Sequence, residues 1–266
     1  EELKDLLKSY RVKKKYYRLK NDNFIDLQDP MIKKVWDVLS GLNISFNELD
    51  NPVIELPNSM ALYLDNALKN KNINVKENEG FTKLLQSIKD PQIKDYQVPE
   101  NIQAQLRNYQ TIGYKWLRSL AEYNLGGILA DDMGLGKTLQ AIVYITSIVN
   151  QKNKDRFLIV CPSSLVYNWQ DEIESFSPEI SSKIVIGSPL EREEIILDDK
   201  DSDVLITSYP LIRRDIKLYK DLNFHTVFLD EAQYIKNPSS LNAKSVKLLN
   251  SNHRLAITGT PIENSL

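Results

Sequence analysis

Residues 127–138 have the sequence Gly-Ile-Leu-Ala-Asp-Asp-Met-Gly-Leu-Gly-Lys-Thr, a short apolar run followed by a glycine-containing loop. Apolar residues continue beyond the loop at helical spacing, at Ala141, Ile142, Ile145 and Ile148. A strand, a glycine loop and a helix in this order bring backbone N–H groups and the positive end of a helix toward one point. The stretch therefore predicts a triphosphate site, with Lys137 reaching the β and γ phosphates and Thr138 coordinating magnesium.

The loop departs from the usual phosphate-binding pattern at one position, because Asp131 stands where that pattern has glycine. A glycine-containing turn that caps a helix is the alternative interpretation of the same residues. The flanking strand and helix favour phosphate binding.

Short apolar runs alternate with helical stretches from about residue 101 onward. The runs are residues 127–130, 157–160, 204–207, 227–229 and 255–258. They are mostly apolar rather than alternating, which is typical of strands buried on both faces of a parallel sheet. The pattern predicts an α/β sandwich whose ligands bind beyond the carboxyl ends of the strands.

An acidic pair follows the apolar run that ends at Leu229. Asp230 is expected to hold the magnesium, directly or through water, and Glu231 to orient and deprotonate the attacking water. An acidic pair alone is more often a solvated loop, but this one follows a buried strand downstream of the phosphate loop. A further apolar run leads into Thr258, Gly259 and Thr260, which in isolation predict an ordinary threonine-capped turn.

The first part of the chain predicts a small mixed α/β module. Residues 16–19 and 24–27 flank a polar turn, as in a β-hairpin, and a helix follows with Asp29 as N-cap and Pro30 in its first turn. The basic and aromatic stretch at residues 11–18 predicts either a nucleic-acid contact or a solvated hairpin edge that discourages strand pairing. Polar residues and prolines around residues 89–100 indicate a linker.

Composition excludes several classes of protein. With 42% apolar and 26% charged residues and a net charge of −2, the chain predicts a globular protein without strong overall electrostatic steering. Cys161 is the only cysteine, so an intrachain disulfide is impossible and a reducing, cytoplasmic location is expected. Every apolar run is too short to span a bilayer, and His225 and His253 lack metal-ligand spacing. The chain lacks an initiator methionine and stops abruptly, which suggests an excised fragment.

Six segments occur in an order that resembles the first-lobe motifs of the Swi/Snf family of ATP-dependent DNA translocases, in helicase superfamily 2. They are residues 106–110, 131–140, 158–165, 204–209, 230–233 and 255–264. The family's loop resembles Asp-Glu-Met-Gly-Leu-Gly-Lys-Thr, so Asp131 fits it and Asp132 is a mild departure. Residues 1–100 are similar, more loosely, to the accessory domain that precedes the motor in bacterial members.

The resemblance implies a RecA-like phosphate-loop sandwich with a central, mainly parallel sheet, preceded by a mixed α/β accessory domain. The implied division is an accessory domain at 1–95, a linker at 96–105 and the first RecA-like lobe at 106–266, with a second lobe in the full-length chain. Nucleotide contacts are implied for Arg107, Gln110, Asp132, Met133, Gly134, Leu135, Gly136, Lys137, Thr138, Leu139 and Gln233. Gln110 would read the adenine edge; alternatively it is one more polar residue on an amphipathic helix.

The resemblance also implies contacts with the backbone of the tracked DNA strand. Their positions are Pro162, Ser163, Ser164, Thr207, Ser208, Tyr209, Lys236 and Asn237. Small hydroxyl residues and exposed N–H groups suit phosphate contacts without sequence preference, although strand-end capping is the alternative. Thr258, Gly259 and Thr260 would link nucleotide state to the DNA-binding face. Trp169 and Phe176 are expected to pack a helix onto the sheet.

These implications together predict an enzyme that hydrolyses ATP with Mg²⁺ and moves along double-stranded DNA, displacing or remodelling DNA-bound proteins. This chain alone is expected to turn over slowly, because the second lobe of such motors supplies arginines to the site. One rival is a phosphate-loop kinase or GTPase, disfavoured because the Gln110 segment precedes the loop. The other is a non-catalytic nucleotide-responsive scaffold, disfavoured by the intact Lys137, Asp230 and Glu231.

Overall fold

The computed structural model describes residues 5–6, 9–10, 12, 14–42, 51, 53–89, 94–151, 156–199 and 201–260. Part of the basic stretch at 11–18, namely Arg11 and Lys13, lies outside the described residues, as do residues 261–264 of the last motif. The chain divides into two compact units, Glu1–Pro91 and Gln92–Leu266. No described helix has the length and apolar character needed to cross a bilayer.

The first unit contains the predicted hairpin, in which β1 (Tyr16–Arg18) and β2 (Phe24–Asp26) pair antiparallel. Three helices follow, α1 (Pro30–Gly41), α2 (Ala61–Asn70) and α3 (Glu79–Lys89). The start of α1 is as predicted, since the Asp29 side chain accepts a hydrogen bond from the Met31 N–H at 2.6 Å. The mixed α/β character of this unit is confirmed.

The second unit is built on a six-stranded sheet in which every pairing is parallel. The strands are β3 (Gly127–Leu129), β4 (Phe157–Cys161), β5 (Ser182–Ile184), β6 (Val204–Ser208), β7 (Asn223–Asp230) and β8 (Asn250–Ile257), in the spatial order β3-β8-β7-β4-β6-β5. The helices are α4 (Asn108–Glu122), α5 (Lys137–Val149), α6 (Val166–Phe176), α7 (Pro189–Leu197), α8 (Tyr209–Tyr219) and α9 (Leu241–Lys247).

Two hydrophobic cores lie on opposite faces of this sheet. Phe157 and Ile159 of β4 belong to a core shared with α4, α5 and α6, whereas Leu158 and Val160 belong to one shared with α7, α8 and α9. Alternate residues of a strand point to opposite faces, so an uninterrupted apolar run is what a central strand of such a sandwich requires. The predicted three-layer α/β class with a mainly parallel sheet is confirmed.

Residues assigned to the linker pack on the second unit. Tyr96, Val98 and Ile102 are partly buried against the core shared by α4, α5 and α6. The functional division at residues 95 and 105 stays a prediction.

The register of the sheet brings several strand ends to one edge. Leu129 pairs with Ile257, and Ile257 pairs with Asp230, so the ends of β3, β8 and β7 form one row. Cys161 and Ser208 end β4 and β6 as a pair on the same edge. The phosphate loop, the acidic pair and both candidate DNA segments therefore leave the sheet from its carboxyl edge.

Candidate active site

The loop between β3 and α5 depends on two glycines with left-handed backbones. Gly134 has φ +82° and Gly136 has φ +73°, a region that L side chains rarely adopt. A Cβ on Gly136 would also overlap the Gln110 Nε2 atom, whereas a Cβ on Gly134 would meet nothing within 4 Å. Because α5 begins directly after Gly136, the loop presents the positive end of a long helix.

Lys137 folds back over the loop. Its Nζ donates to the carbonyl oxygens of Asp131 at 2.7 Å and Asp132 at 2.9 Å. Phosphate oxygens can accept the same N–H donors, and a phosphate carries the stronger opposite charge. The ammonium is therefore held against the loop by two backbone carbonyl oxygens, which a phosphate could replace as acceptors.

Asp131, which departs from the general loop pattern, has a structural partner. Its Oδ2 accepts a hydrogen bond of 2.9 Å from the Nε2 atom of Gln140, a fully buried residue of α5. The carboxylate therefore ties the first residue of the loop to the helix that follows it. Sequence reasoning missed Gln140, although it closes the motif at residues 131–140.

Gln110 joins the start of α4 to the loop. Its Oε1 accepts from the Arg107 N–H at 2.9 Å and its Nε2 donates to the Leu135 carbonyl at 3.1 Å. Both ends of the amide are thus engaged within the protein, and only 7% of the residue is exposed. The structure brings Gln110 against the phosphate loop, and its contact with the nucleotide stays a prediction.

The Asp230 carboxylate is nearly buried at the end of β7, with 9% exposure. Its Oδ2 accepts from the Trp169 Nε1–H at 2.8 Å and its Oδ1 from the Glu231 N–H at 2.9 Å. Burial raises the pKa of Asp230, while these two hydrogen bonds and the positive charge of Lys137 act in the opposite direction. Lys137 is therefore close enough to influence the carboxylate electrostatically.

Glu231 adopts a left-handed conformation, with φ 47° and ψ 57°. Its Oε2 accepts from the Gln233 Nε2 at 2.7 Å, and the Gln233 Oε1 accepts from the Thr258 hydroxyl at 3.1 Å. The same Thr258 oxygen accepts the Thr260 N–H at 3.0 Å. A chain of hydrogen bonds thus links the second carboxylate to the turn after β8.

That turn also touches the phosphate loop. A Cβ on Gly259 would lie 2.6 Å from the Met133 Cγ, so the two segments approach as closely as a glycine allows. Most other predicted nucleotide residues lie at the surface of the loop and its helix. Asp132, Met133 and Gly134 are exposed, and Leu135, Gly136, Lys137, Thr138, Leu139 and Gln233 are half-buried.

The predicted DNA contacts separate into two groups. Ser163, Ser164, Lys236 and Asn237 are exposed, whereas Pro162, Thr207, Ser208 and Tyr209 are buried. The Thr207 hydroxyl donates to the Val185 carbonyl at 3.4 Å and the Tyr209 hydroxyl to the Asp230 carbonyl at 2.7 Å. The side chains of Thr207 and Tyr209 therefore serve internal contacts in this structure.

Trp169 and Tyr209 are the two residues at Asp230 whose position sequence reasoning did not foresee. Trp169 was expected only to pack α6 onto the sheet, which it does at 2% exposure, but its N–H also reaches the carboxylate. A buried tryptophan usually finds an acceptor for its N–H, and this rule could have indicated a polar partner for Trp169.

The donor set around Asp230 fits magnesium. Among the described residues, no group of three or more histidine, cysteine, aspartate or glutamate side chains could hold a metal ion. Magnesium in phosphoryl-transfer sites uses one or two carboxylates together with phosphate oxygens and water, so one aspartate and one threonine hydroxyl suffice. Asp230 and Thr138 have hard oxygen atoms of that kind, and their binding of magnesium stays a prediction.

Comparisons with known proteins agree with this geometry. The model of the SNF2-related domain matches residues 109–266, and the model of the bacterial SNF2 helicase-associated domain matches residues 1–99. An uncharacterized ATP-dependent helicase of Mycoplasma pneumoniae is 46% identical over 166 residues, 60% of this chain and 16% of that protein. The TATA-binding protein-associated factor mot1 of Schizosaccharomyces pombe is 39% identical over 201 residues, 71% of this chain and 10% of that protein.

A solved structure of an SNF2-type ATPase also matches this chain. The Sulfolobus solfataricus SWI2/SNF2 ATPase core in complex with dsDNA matches with a TM-score of 0.58 and 39% identity, over 64% of this chain and 36% of that chain. The chain thus spans 10% to 16% of the curated relatives named above. The resemblance inferred from the six motifs is confirmed. The chain belongs to the SNF2-related family, and the ATPase domain of that family follows a bacterial SNF2 helicase-associated domain in the sequence.

Proposed function

We propose that this chain is the nucleotide-binding part of a double-stranded DNA translocase or remodeller that hydrolyses ATP to ADP and phosphate. The supporting observation is the row Leu129–Ile257–Asp230, which aligns the strand before the phosphate loop with the acidic pair. Adjacent strands lie about 4.8 Å apart, so the two outer strand ends are about 10 Å apart. A triphosphate with its metal can span that gap.

Each binding residue has one task in this proposal. Loop N–H groups and Lys137 bind the phosphates, and Thr138 and Asp230 hold Mg²⁺. The ion, when bound, neutralises charge that develops on the phosphate oxygens. Gln110 and Arg107 would contact the base, and the hydrogen bond from Gln110 to the Leu135 carbonyl of the loop supports this role.

Glu231 is proposed as the general base. The hydrogen bond from Gln233 orients its carboxylate, and its left-handed backbone comes directly after the last residue of β7. The proton of the attacking water would pass to this carboxylate. The link through Gln233 to Thr258, Gly259 and Thr260 supports the proposed coupling between nucleotide state and DNA.

The DNA strand is proposed to follow the carboxyl edge of the sheet. Ser163, Ser164, Lys236 and Asn237 are exposed there and can reach phosphates. The side chains of Pro162 and of residues 207–209 are buried, so these segments would meet DNA through their backbone. The solved relative that contains dsDNA, at 39% identity, supports a duplex as the partner, and DNA-bound proteins follow as the objects displaced.

A second RecA-like lobe is proposed to complete the site. In phosphoryl-transfer enzymes an arginine supplied across the site contributes about 10³–10⁵ in rate. We therefore expect this chain alone to bind nucleotide weakly and to hydrolyse it slowly. Robust DNA-stimulated hydrolysis by residues 1–266 would contradict this part of the proposal.

The deciding experiment compares ATP hydrolysis by the full-length protein with duplex DNA, single-stranded DNA and RNA. We expect the duplex to stimulate most; equal rates with and without every nucleic acid would refute the motor assignment. Glu231→Gln should abolish hydrolysis while ATP still binds, and Lys137→Ala should weaken ATP binding itself. Glu193→Gln, the same change at an exposed position of α7, is the control and should behave as wild type.

A further inference from the structure

Two of the three candidate DNA segments, residues 162–164 and 207–209, precede or contain a buried aromatic residue that donates a hydrogen bond to Asp230. The segment at residues 162–164 follows β4 and runs into α6, whose residue Trp169 is 2% exposed. The Trp169 Nε1–H donates to the Asp230 Oδ2 at 2.8 Å. The side chain of one residue in α6 thus fixes the orientation of the carboxylate proposed to hold the metal.

The segment at residues 207–209, at the end of β6, also contacts Asp230. Tyr209 is the first residue of α8 and is fully buried, and its hydroxyl donates to the Asp230 carbonyl at 2.7 Å. Its ring also stacks on Tyr234, with centroids 5.4 Å apart and planes 4° apart. Tyr234 belongs to the short 3₁₀ turn Ala232–Ile235, which leads to the exposed Lys236.

We propose that Trp169 and Tyr209 are positioning residues that connect the two DNA segments to Asp230, so that bound DNA sets the geometry of the acidic pair. This inference rests on the proposed function above. Neither aromatic side chain is accessible to DNA, so each acts through Asp230. One holds the side chain and the other holds the backbone at the peptide that joins Asp230 to Glu231.

The proposed coupling depends on the close packing of the two donor side chains, Trp169 and Tyr209. Close-packed interiors respond to a shift of one segment by moving neighbouring groups together rather than by deforming continuously. A displacement of either segment would therefore move its donor relative to Asp230. The nearly buried carboxylate cannot lose a donor without a desolvation cost, so it follows the donor.

The test uses the full-length protein with two conservative variants and two matched controls. Tyr209→Phe and Trp169→Phe each remove one donor and keep an aromatic ring. Tyr144→Phe removes an equally buried tyrosine hydroxyl that contacts Thr226 at 3.0 Å and not Asp230. Trp116→Phe is the same change in α4, in a side chain that packs against the core.

The first measurement is the ratio of the ATPase rate with saturating duplex DNA to the rate without it. We expect the ratio to fall about tenfold for Trp169→Phe, which removes a donor to a charged group, and about fivefold for Tyr209→Phe. Both controls should keep the wild-type ratio. If the two variants keep that ratio while their thermal stability falls, the contacts are structural only and the inference is wrong.

The second measurement needs no turnover. Duplex affinity without nucleotide should be unchanged in both variants, because neither side chain contacts DNA. Hydrogen exchange in a peptide spanning residues 226–236 should change on DNA binding in the wild type and no longer in the variants. Unaltered exchange in the wild type would overturn the inference, whereas a wild type without any DNA stimulation would overturn the proposed function instead.

Discussion

Alanine substitutions at the two glycines of the phosphate loop allow two stability costs to be measured separately. One is the cost of a left-handed backbone, and the other is the cost of a Cβ atom that overlaps a neighbouring side chain. Alanine at either position must adopt a left-handed backbone, which costs about 1–2 kcal/mol. At Gly134 there is no further loss of stability, because the added Cβ faces open space. At Gly136 the added Cβ displaces the Gln110 amide, so the bonds to Arg107 N–H and the Leu135 carbonyl are lost. Each such bond contributes about 0.5–1.5 kcal/mol, so Gly136→Ala should be less stable than Gly134→Ala by about 2 kcal/mol.

Urea unfolding followed by tryptophan fluorescence measures this difference. With a slope of about 2 kcal/mol/M, the midpoint of Gly136→Ala should lie about 1 M below that of Gly134→Ala. In a Gln110→Ala background the extra penalty should disappear, because the displaced amide is absent. Equal midpoints for the two glycine variants, or a penalty that survives in that background, would show that Gln110 does not hold the loop in the way described.

Three further outcomes are expected. Gln233→Ala should lower the ATPase kcat of the full-length protein about tenfold with little change in nucleotide affinity, because it frees the Glu231 carboxylate and breaks the link to Thr258; an unchanged kcat would argue against that link. Burial lowers the pKa of His253 below 6.5, so the unfolded chain takes up the proton first and stability should fall as pH drops below about 6.5. In unfolding experiments between pH 8 and 5.5, the stability of His253→Gln should depend less on pH than that of the wild type. An equally steep dependence in the variant would show that His253 is not the cause. Lys236→Ala should reduce the slope of log duplex affinity against log salt by about 1, whereas Lys217→Ala on α8 should leave it unchanged.

The sheet could be predicted because its strands are apolar throughout. All five residues of β4 and all five of β6 are buried, so their sequences carry the signature of a two-faced core directly. The strand order could not be read in the same way. β8 lies between β3 and β7 although it is last in sequence, and its neighbours are fixed by packing across the whole lobe.

The candidate residues of the site were predicted from their residue types. The neighbouring residues that hold them in place could not be predicted in that way. Lys137 and Asp230 were predicted from motifs, and the strands that precede them end at the same edge of the sheet. Gln140 and Trp169 act through hydrogen bonds to residues elsewhere in the sequence. Helical periodicity marks both as core positions, and periodicity cannot tell which acceptor a buried N–H will meet.

The backbone of Glu231 adopts an unfavourable conformation that its neighbours hold in place. Four non-glycine residues in the described part of the chain have positive φ, and the three besides Glu231 are Asp22, Asn72 and Asn124. Aspartate and asparagine tolerate this region, whereas glutamate adopts it at a cost of about 1–3 kcal/mol. Such strain persists only where neighbours over-determine the conformation. Here the Glu231 N–H is bound by the Asp230 carboxylate, the preceding carbonyl by Tyr209, and the Glu231 side chain by Gln233. The three contacts hold the Glu231 carboxylate in one orientation at a cost in folding stability, which is the compromise expected of a residue proposed as the general base.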